Sequence, residues 1–216
     1  MIKNPSIDEL HNSDVYKLVA EPSHLKIKEF LLEQIQERPR LIRIYLIYQF
    51  AMICLGLLFF GLSVIRAIKV GEFEYLFYSL AALVFAFSLL IVLHELIHGL
   101  AFKLVGVSKV TYGAILKQFI FYAEADRHVL NRRQFRIVAL APLVVVKVVS
   151  LAGIIVFFHH PAAWFFVVQM SLHSLFCAGD VGILSLFYKY DEEVYTYDLR
   201  SEKKSFFFVK RNEANN

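Results

Sequence analysis

The stretch YLFYSLAALVFAFSLLIVLHELIHGLAF, residues 75–102, decides how this chain folds. It is apolar almost throughout and contains a single charged side chain, that of Glu95. An α-helix of about 20 residues crosses the roughly 30 Å hydrocarbon core of a bilayer. We therefore predict a transmembrane helix here, and this helix carries His94, Glu95 and His98 in an apolar setting.

Three further stretches of the chain share this apolar character. They are residues 44–65, 137–158 and 164–187, and each is long enough to cross a bilayer as a helix. The chain is 58% hydrophobic and 19% charged, whereas soluble domains average about 45–50% and about 25%. This composition excludes a disordered chain or a disulfide scaffold and disfavours a soluble enzyme. We predict an all-α polytopic membrane protein with four transmembrane helices.

The basic residues predict the orientation of these helices. With four spans, 20 of the 23 Lys and Arg residues fall on one side of the membrane. Because Lys and Arg accumulate in cytoplasmic loops, we expect a multi-pass protein of the cell membrane with both termini in the cytoplasm. The same asymmetry explains the net charge of +4, so we expect the lipid bilayer and no nucleic acid as a partner.

The chain is expected to divide into three segments around the spans. Residues 1–40 form a cytoplasmic amphipathic helical segment, residues 41–190 a four-span membrane domain, and residues 191–216 a polar cytoplasmic tail. Within the second loop, residues 107–122 are rich in β-forming side chains. They predict either a short β-hairpin or an irregular interfacial loop.

The N-terminal segment has the pattern of two helices. Ser6 and Glu9 have the spacing of a capping box, and Pro22 would end the helix that begins there. A second, amphipathic helix follows and ends near Pro39. We consider two interpretations of it, a helix lying on the membrane surface and a helix packed on the cytosolic loops of the protein itself.

The sequence His94-Glu95-Leu96-Ile97-His98 carries the predicted chemistry. Residues i and i+4 share one face of a helix, so both imidazoles can bind one zinc ion. Glu95, the next residue after His94, can then act as the general base toward a zinc-activated water. Ionisable groups inside a membrane span cost free energy, which favours a functional role for them. The alternative is that both histidines lie at the interfacial end of the span and are satisfied by water.

A zinc site of this type needs a third protein ligand, and Asp180 is the candidate. It is the one acidic residue of the predicted fourth span, and it lies nine residues before Lys189, as His94 lies nine residues before Lys103. Asp180 and His94 are therefore expected at similar depths, roughly 13 Å below the cytoplasmic edge. The alternative is a polar contact between helices.

Two other ionisable residues lie deep in the predicted spans. His173 precedes Asp180 by seven residues and is a candidate for an alternative ligand or for a group that supports the ligands, although an interhelical hydrogen bond is the simpler interpretation. Lys147 lies near mid-membrane and is expected to face the helix bundle and pair with a carboxylate, so it is a candidate for a polar pathway.

Three short motifs together resemble a known family. HELIHG at 94–99, APL at 141–143 and GD at 179–180 resemble the putative zincin peptidase family of small bacterial membrane proteins, which is similar to the site-2 protease class of intramembrane zinc metalloproteases. The resemblance implies zinc bound by His94, His98 and Asp180, with Glu95 as the base. It also implies that residues 107–122 present an unfolded substrate strand beside the site. In the site-2 class the aspartate lies in a Leu-Asp-Gly motif, which this chain lacks.

The favoured function is a zinc-dependent intramembrane or membrane-proximal metallopeptidase of the HExxH type, acting on a membrane protein or peptide. The alternative is a non-catalytic membrane protein, either a metal or proton transporter or a degenerate zincin scaffold. Four spans are few for a transporter, and no internal repeat is evident. The sequence leaves homo-oligomer formation open.

Overall fold

The computed structural model describes residues 4–23, 26–37, 39–115 and 120–211. Its helices are α1 Ile7–Leu10, α2 Ile27–Glu37, α3 Arg40–Val70, α4 Phe73–Ala86, α5 Leu89–Leu104, α6 Arg132–Val156, α7 Ala162–Phe176 and α8 Ala178–Leu186. Its strands are β1 Tyr16–Ala20, β2 Thr111–Ile115, β3 Ile120–Glu124, β4 Leu130–Asn131, β5 Val194–Leu199 and β6 Lys204–Lys210. Internal contacts divide the chain into two compact units, a first unit of residues 1–42, 98–139 and 180–216 and a second unit of residues 43–97 and 140–179.

Three helical runs in the described chain are long and apolar enough to cross a membrane. They are α3, α6 and the run from Ala162 to Leu186 that comprises α7 and α8. The predicted span at residues 75–102 is instead the pair α4 and α5, bent by 50°, and it makes a fourth span only if the pair counts as one. At the bend, the Ser88 hydroxyl donates a hydrogen bond of 2.6 Å to the Val84 carbonyl oxygen, a bond that bends helices.

The all-α expectation is not confirmed, because the first unit contains an antiparallel sheet. Its strand order is β1-β6-β5-β4, and β5 and β6 form a hairpin in the segment that was expected to be a polar tail. Phe207 and Phe208 on β6 are almost fully buried. The run VYTYDL and the run SFFFV are β-forming sequences, and burial of their aromatic rings on the sheet core explains why this part of the tail is ordered.

The N-terminal segment differs from its predicted helical pattern in one respect. The capping box is confirmed: the Ser6 hydroxyl accepts from the Glu9 N–H at 3.2 Å and the Ser6 N–H donates to the Glu9 carboxylate at 2.6 Å. The helix nevertheless ends at Leu10 rather than continuing to Pro22. Residues Tyr16–Ala20 pair with β6 instead, so long-range strand pairing overrides the local pattern.

Helix α2 packs on the protein itself along part of its apolar side. Phe30 contacts the buried cluster of the first unit that includes Leu186, Phe187 and Phe207. Leu31 lies so close to Gly182 of α8 that a Cβ there would be 2.4 Å from its methyl carbon. The second of the two sequence interpretations, packing on protein rather than on lipid, therefore describes these positions better, although the contacts are with α8 and the sheet core rather than with loops.

Strands β2 and β3 form a hairpin in the second loop, the first of the two alternatives that the sequence left open. They are antiparallel, with Thr111 opposite Glu124 and Ile115 opposite Ile120. Residues 116–119 of the prediction lie outside the described residues. Helix α5 ends shortly before this hairpin, where Gly106 adopts a positive φ of 98° that glycine tolerates without steric cost.

Buried polar side chains connect the helices of the second unit. The Tyr45 hydroxyl donates to the Ser174 carbonyl oxygen, and the Gln49 amide donates to the Ser174 hydroxyl at 3.1 Å. The Ser150 hydroxyl donates to the side-chain amide oxygen Oε1 of Gln169 at 2.8 Å. Such interhelical hydrogen bonds fix neighbouring helices in an apolar setting, and here they hold α7, which carries His173.

Candidate metal centre

Helix α5 carries the two histidines of the HExxH sequence. His94 is 5% exposed and His98 is 7% exposed, and Glu95 between them is partly buried. The two imidazoles lie one helical turn apart on the same side of α5, and potential ligand nitrogens of the two rings lie within 4.8 Å of each other. The helix thus presents both rings in the arrangement that the sequence spacing predicts.

The contacts of His98 define how its ring is protonated. Its Nδ1 lies 3.0 Å from the Val138 carbonyl oxygen. Because a carbonyl oxygen only accepts, Nδ1 carries a proton, and in a neutral ring Nε2 is then an acceptor. Nε2 lies 3.2 Å from Oδ1 of Asp180, which also only accepts when ionised. This short distance requires either a proton between the two atoms, on the ring or on the carboxyl group, or a metal ion bound by both.

Pro142 explains why the Val138 carbonyl oxygen is available to His98. In an α-helix this oxygen would accept from the N–H of the residue four positions later, and in α6 that residue is Pro142, which has no N–H. The proline of the APL motif therefore leaves an acceptor inside α6, and the His98 ring uses it.

Asp180 lies in the first turn of α8. Helix α7 ends at Phe176 and α8 begins at Ala178, so the break between them places the carboxylate at a helix N-terminus, where the helix dipole favours a negative charge. Its side chain is 22% exposed. The structure thus brings two of the three predicted ligands, His98 and Asp180, into direct contact, while their roles as zinc ligands stay predictions.

His94 contacts His173, which is the most buried of the predicted site residues, with 1% of its surface exposed. Nδ1 of His94 lies 3.1 Å from Nε2 of His173. His173 in turn lies beside Cys177, with 3.7 Å from its Nδ1 and 3.9 Å from its Nε2 to the sulfur. The sequence interpretation of His173 as an interhelical hydrogen-bonding group agrees with this contact. Cys177 was not identified from the sequence as a member of this group, although its i and i+4 spacing from His173 is a signal that could have identified it.

The described neighbours of Lys147 are a sulfur and an aromatic ring, and the carboxylate partner expected for it stays a prediction. Its ammonium lies 3.5 Å from the Met52 sulfur and 5.0 Å from the centre of the Tyr48 ring. The quadrupole of an aromatic ring stabilises a cation over its face. The long side chain of Lys147 reaches such a ring in an apolar helix bundle, where carboxylates are rare.

The hairpin of the first unit packs against helix α5 through Tyr112. A Cβ added to Gly99, the residue after His98, would lie 1.8 Å from the Tyr112 hydroxyl and 2.7 Å from the ring carbon that carries it. At the same end of the hairpin, buried Glu124 pairs with Arg200 at 3.2 Å, and burial raises the pKa of Glu124 despite this cation. Tyr112 was not identified from the sequence, because its partner is a glycine that lies 13 residues earlier.

We expect Gly99→Ala to destabilise the protein. Alanine is favoured over glycine inside a helix by about 1 kcal/mol, but overpacking against Tyr112 costs about 1–3 kcal/mol, so we expect a net loss of up to about 2 kcal/mol. Thermal unfolding in detergent measures it, and a second change of Tyr112→Leu should restore the loss. Gly61→Ala on α3 is the matched control, because nothing lies within 4 Å of a Cβ there. A Gly99→Ala protein that is as stable as the control would contradict this packing.

Comparison with known families adds one match. A family model described as "Putative zincin peptidase" matches residues 87–195, slightly more than half of the chain. The matched range includes His94, Glu95, His98 and Asp180. No curated protein and no solved structure matches the chain.

Proposed function

This chain belongs to the family described as "Putative zincin peptidase", and on that premise we propose that it is a zinc metallopeptidase acting within or beside the membrane. The observation that carries the proposal is the 3.2 Å contact between Nε2 of His98 and Oδ1 of Asp180. It pairs the second histidine of an HExxH helix with a carboxylate from a distant part of the chain.

The side chains fit a zinc ion. Tetrahedral zinc with nitrogen and oxygen ligands at about 2.0–2.2 Å holds those atoms about 3.4 Å apart, close to the 3.2 Å between His98 and Asp180. We assign His94, His98 and Asp180 as the ligands, which leaves one tetrahedral position for water or substrate. When bound, zinc supplies a Lewis acid that polarises a peptide carbonyl and lowers the pKa of water.

The other groups of the site orient the ligands and move the proton. The Val138 carbonyl oxygen accepts from Nδ1 of His98 and so directs Nε2 of that ring toward Asp180. His173 acts in the same way on Nδ1 of His94. Glu95, on the same helix, takes a proton from the attacking water and delivers it to the amine that leaves.

The β2–β3 hairpin is proposed to bind the substrate. Tyr112 of β2 packs on Gly99, the residue that follows His98, which supports a position of the hairpin beside the HExxH sequence. In the described part of the chain β2 and β3 pair only with each other. A strand with an open edge binds an extended peptide through main-chain hydrogen bonds. The carbonyl groups of an extended peptide are accessible to a metal ion at the proposed site.

The apolar helices support a membrane protein or membrane-associated peptide as the substrate. Three helical runs can span a bilayer, and the HExxH helix is part of the bent pair that can form a fourth. The proposed topology places both termini in the cytoplasm, since this assigns 20 of the 23 basic residues to that side. Cleavage inside the bilayer, as in the site-2 protease class, requires a substrate helix that unwinds.

Reversible metal dependence tests the proposal. The protein purified in detergent should contain about one zinc per chain and should cleave an unfolded or transmembrane model peptide. We expect a chelator to abolish cleavage and added zinc to restore it, as measured by mass spectrometry of the products and elemental analysis. Protein without stoichiometric zinc, or cleavage that survives chelation, would exclude the peptidase. Metal or proton flux into proteoliposomes without cleavage would favour the non-catalytic alternative.

A further inference from the structure

The second unit contains another group of potential metal ligands, His94, His173 and Cys177. One ligand atom from each lies within 4.8 Å of the others. All three are buried, with 5%, 1% and 0% of their surface exposed, and neither cysteine of the chain is in a disulfide. A histidine pair and a thiol in an apolar environment is the donor set of a zinc site.

The distances within this group are those of ligands around one ion. Nδ1 of His94 and Nε2 of His173 are 3.1 Å apart, and Nε2 of His173 is 3.9 Å from the Cys177 sulfur. Zinc bonds of about 2.0–2.1 Å to nitrogen and 2.3 Å to sulfur give tetrahedral separations of about 3.4 Å and about 3.6 Å. Shifts of a few tenths of an ångström would bring the three atoms to these values.

Polar contacts between helices fix the backbone that carries His173. The hydrogen bonds from Tyr45 and Gln49 to Ser174 fix α7 in the turn that follows His173. The packing of the second unit therefore holds His173, and Cys177 lies in the one-residue break between α7 and α8.

We propose that His94, His173 and Cys177 form a second, thiolate-containing metal position that binds zinc or a similar soft divalent cation. Binding releases the thiol proton of Cys177 to solvent. A neutral imidazole offers one acceptor nitrogen, so this position and the one at His98 and Asp180 compete for His94, and one ion is held at a time. The inference does not depend on peptidase activity.

Cobalt binding to a variant without the other ligands tests this position. In the full chain carrying His98→Asn and Asp180→Asn, added Co²⁺ should still bind at about one ion per chain and give a thiolate-to-cobalt charge-transfer absorption. Adding Cys177→Ser should abolish that absorption and weaken Co²⁺ binding more than about 100-fold. Adding Cys54→Ser instead, at the exposed cysteine of α3, should change neither.

Two further measurements keep the test decisive. The single variant Asp180→Asn should show the same absorption, and zinc-edge X-ray absorption of either variant should detect sulfur bound to the metal. Absence of metal from both variants, or metal bound without sulfur, would overturn the proposal. Sulfur-bound cobalt in a protein whose wild type never cleaves peptides would overturn only the peptidase function, whereas a zinc-dependent peptidase without the sulfur signal would overturn only this inference.

Discussion

Replacing His94 by asparagine is expected to reduce bound zinc from about one ion per chain to a trace and to abolish peptide cleavage. Asparagine places its amide nitrogen where histidine has Nδ1, so it can still donate toward Nε2 of His173, 3.1 Å away in the native protein. It has no counterpart of Nε2. Loss of a direct ligand should exceed the roughly 10–100-fold loss of affinity that removing an outer partner causes.

Elemental analysis and a zinc titration of the purified variant measure this effect. His159→Asn is the matched control, because His159 is exposed in the turn before α7 and contacts the Phe158 ring rather than the ligand candidates. The control should keep wild-type zinc content and cleavage. If His94→Asn retained stoichiometric zinc and a native unfolding temperature, His94 would not be a ligand, and both metal positions would be excluded together.

The parts of the site that the sequence predicted are those set by local geometry. The spacing of His94 and His98 on α5 follows from the helical repeat, and it needs no knowledge of the rest of the chain. The sequence placed Asp180 at a depth similar to that of His94 in two spans, and the structure brings the Asp180 side chain to 3.2 Å from His98, one turn from His94. A match in depth constrains one coordinate only, which is why it could not distinguish a ligand from a polar interhelical contact.

The features that the sequence did not predict depend on contacts between distant segments. Strand β1 pairs with β6 near the other end of the chain, with Tyr16 opposite Lys210. No local sequence pattern indicates that pairing. Pro142 was recognised as part of a motif, but its effect on His98 appears only when the Val138 carbonyl oxygen is seen to accept from that ring. The bend at Ser88 likewise divides a stretch that hydropathy presents as one continuous span.

The variant Glu95→Gln is expected to keep wild-type zinc content and to lose cleavage by about 10²- to 10⁴-fold. Glutamine has nearly the shape of glutamate, so α5 and the positions of His94 and His98 should not change. It cannot accept a proton at neutral pH. The rate of product formation under saturating substrate, together with elemental analysis of the same sample, measures the two quantities separately.

Glu33→Gln, at an exposed position of α2, is the matched control and should retain both zinc and activity. The comparison of Glu95→Gln with His94→Asn then separates the two roles within the HExxH helix. Zinc without cleavage in the first variant, and neither in the second, is the pattern that a general base beside a metal ligand produces. Undiminished cleavage by Glu95→Gln would exclude Glu95 as the base, and loss of zinc from it would show that this carboxylate supports the metal rather than the proton transfer.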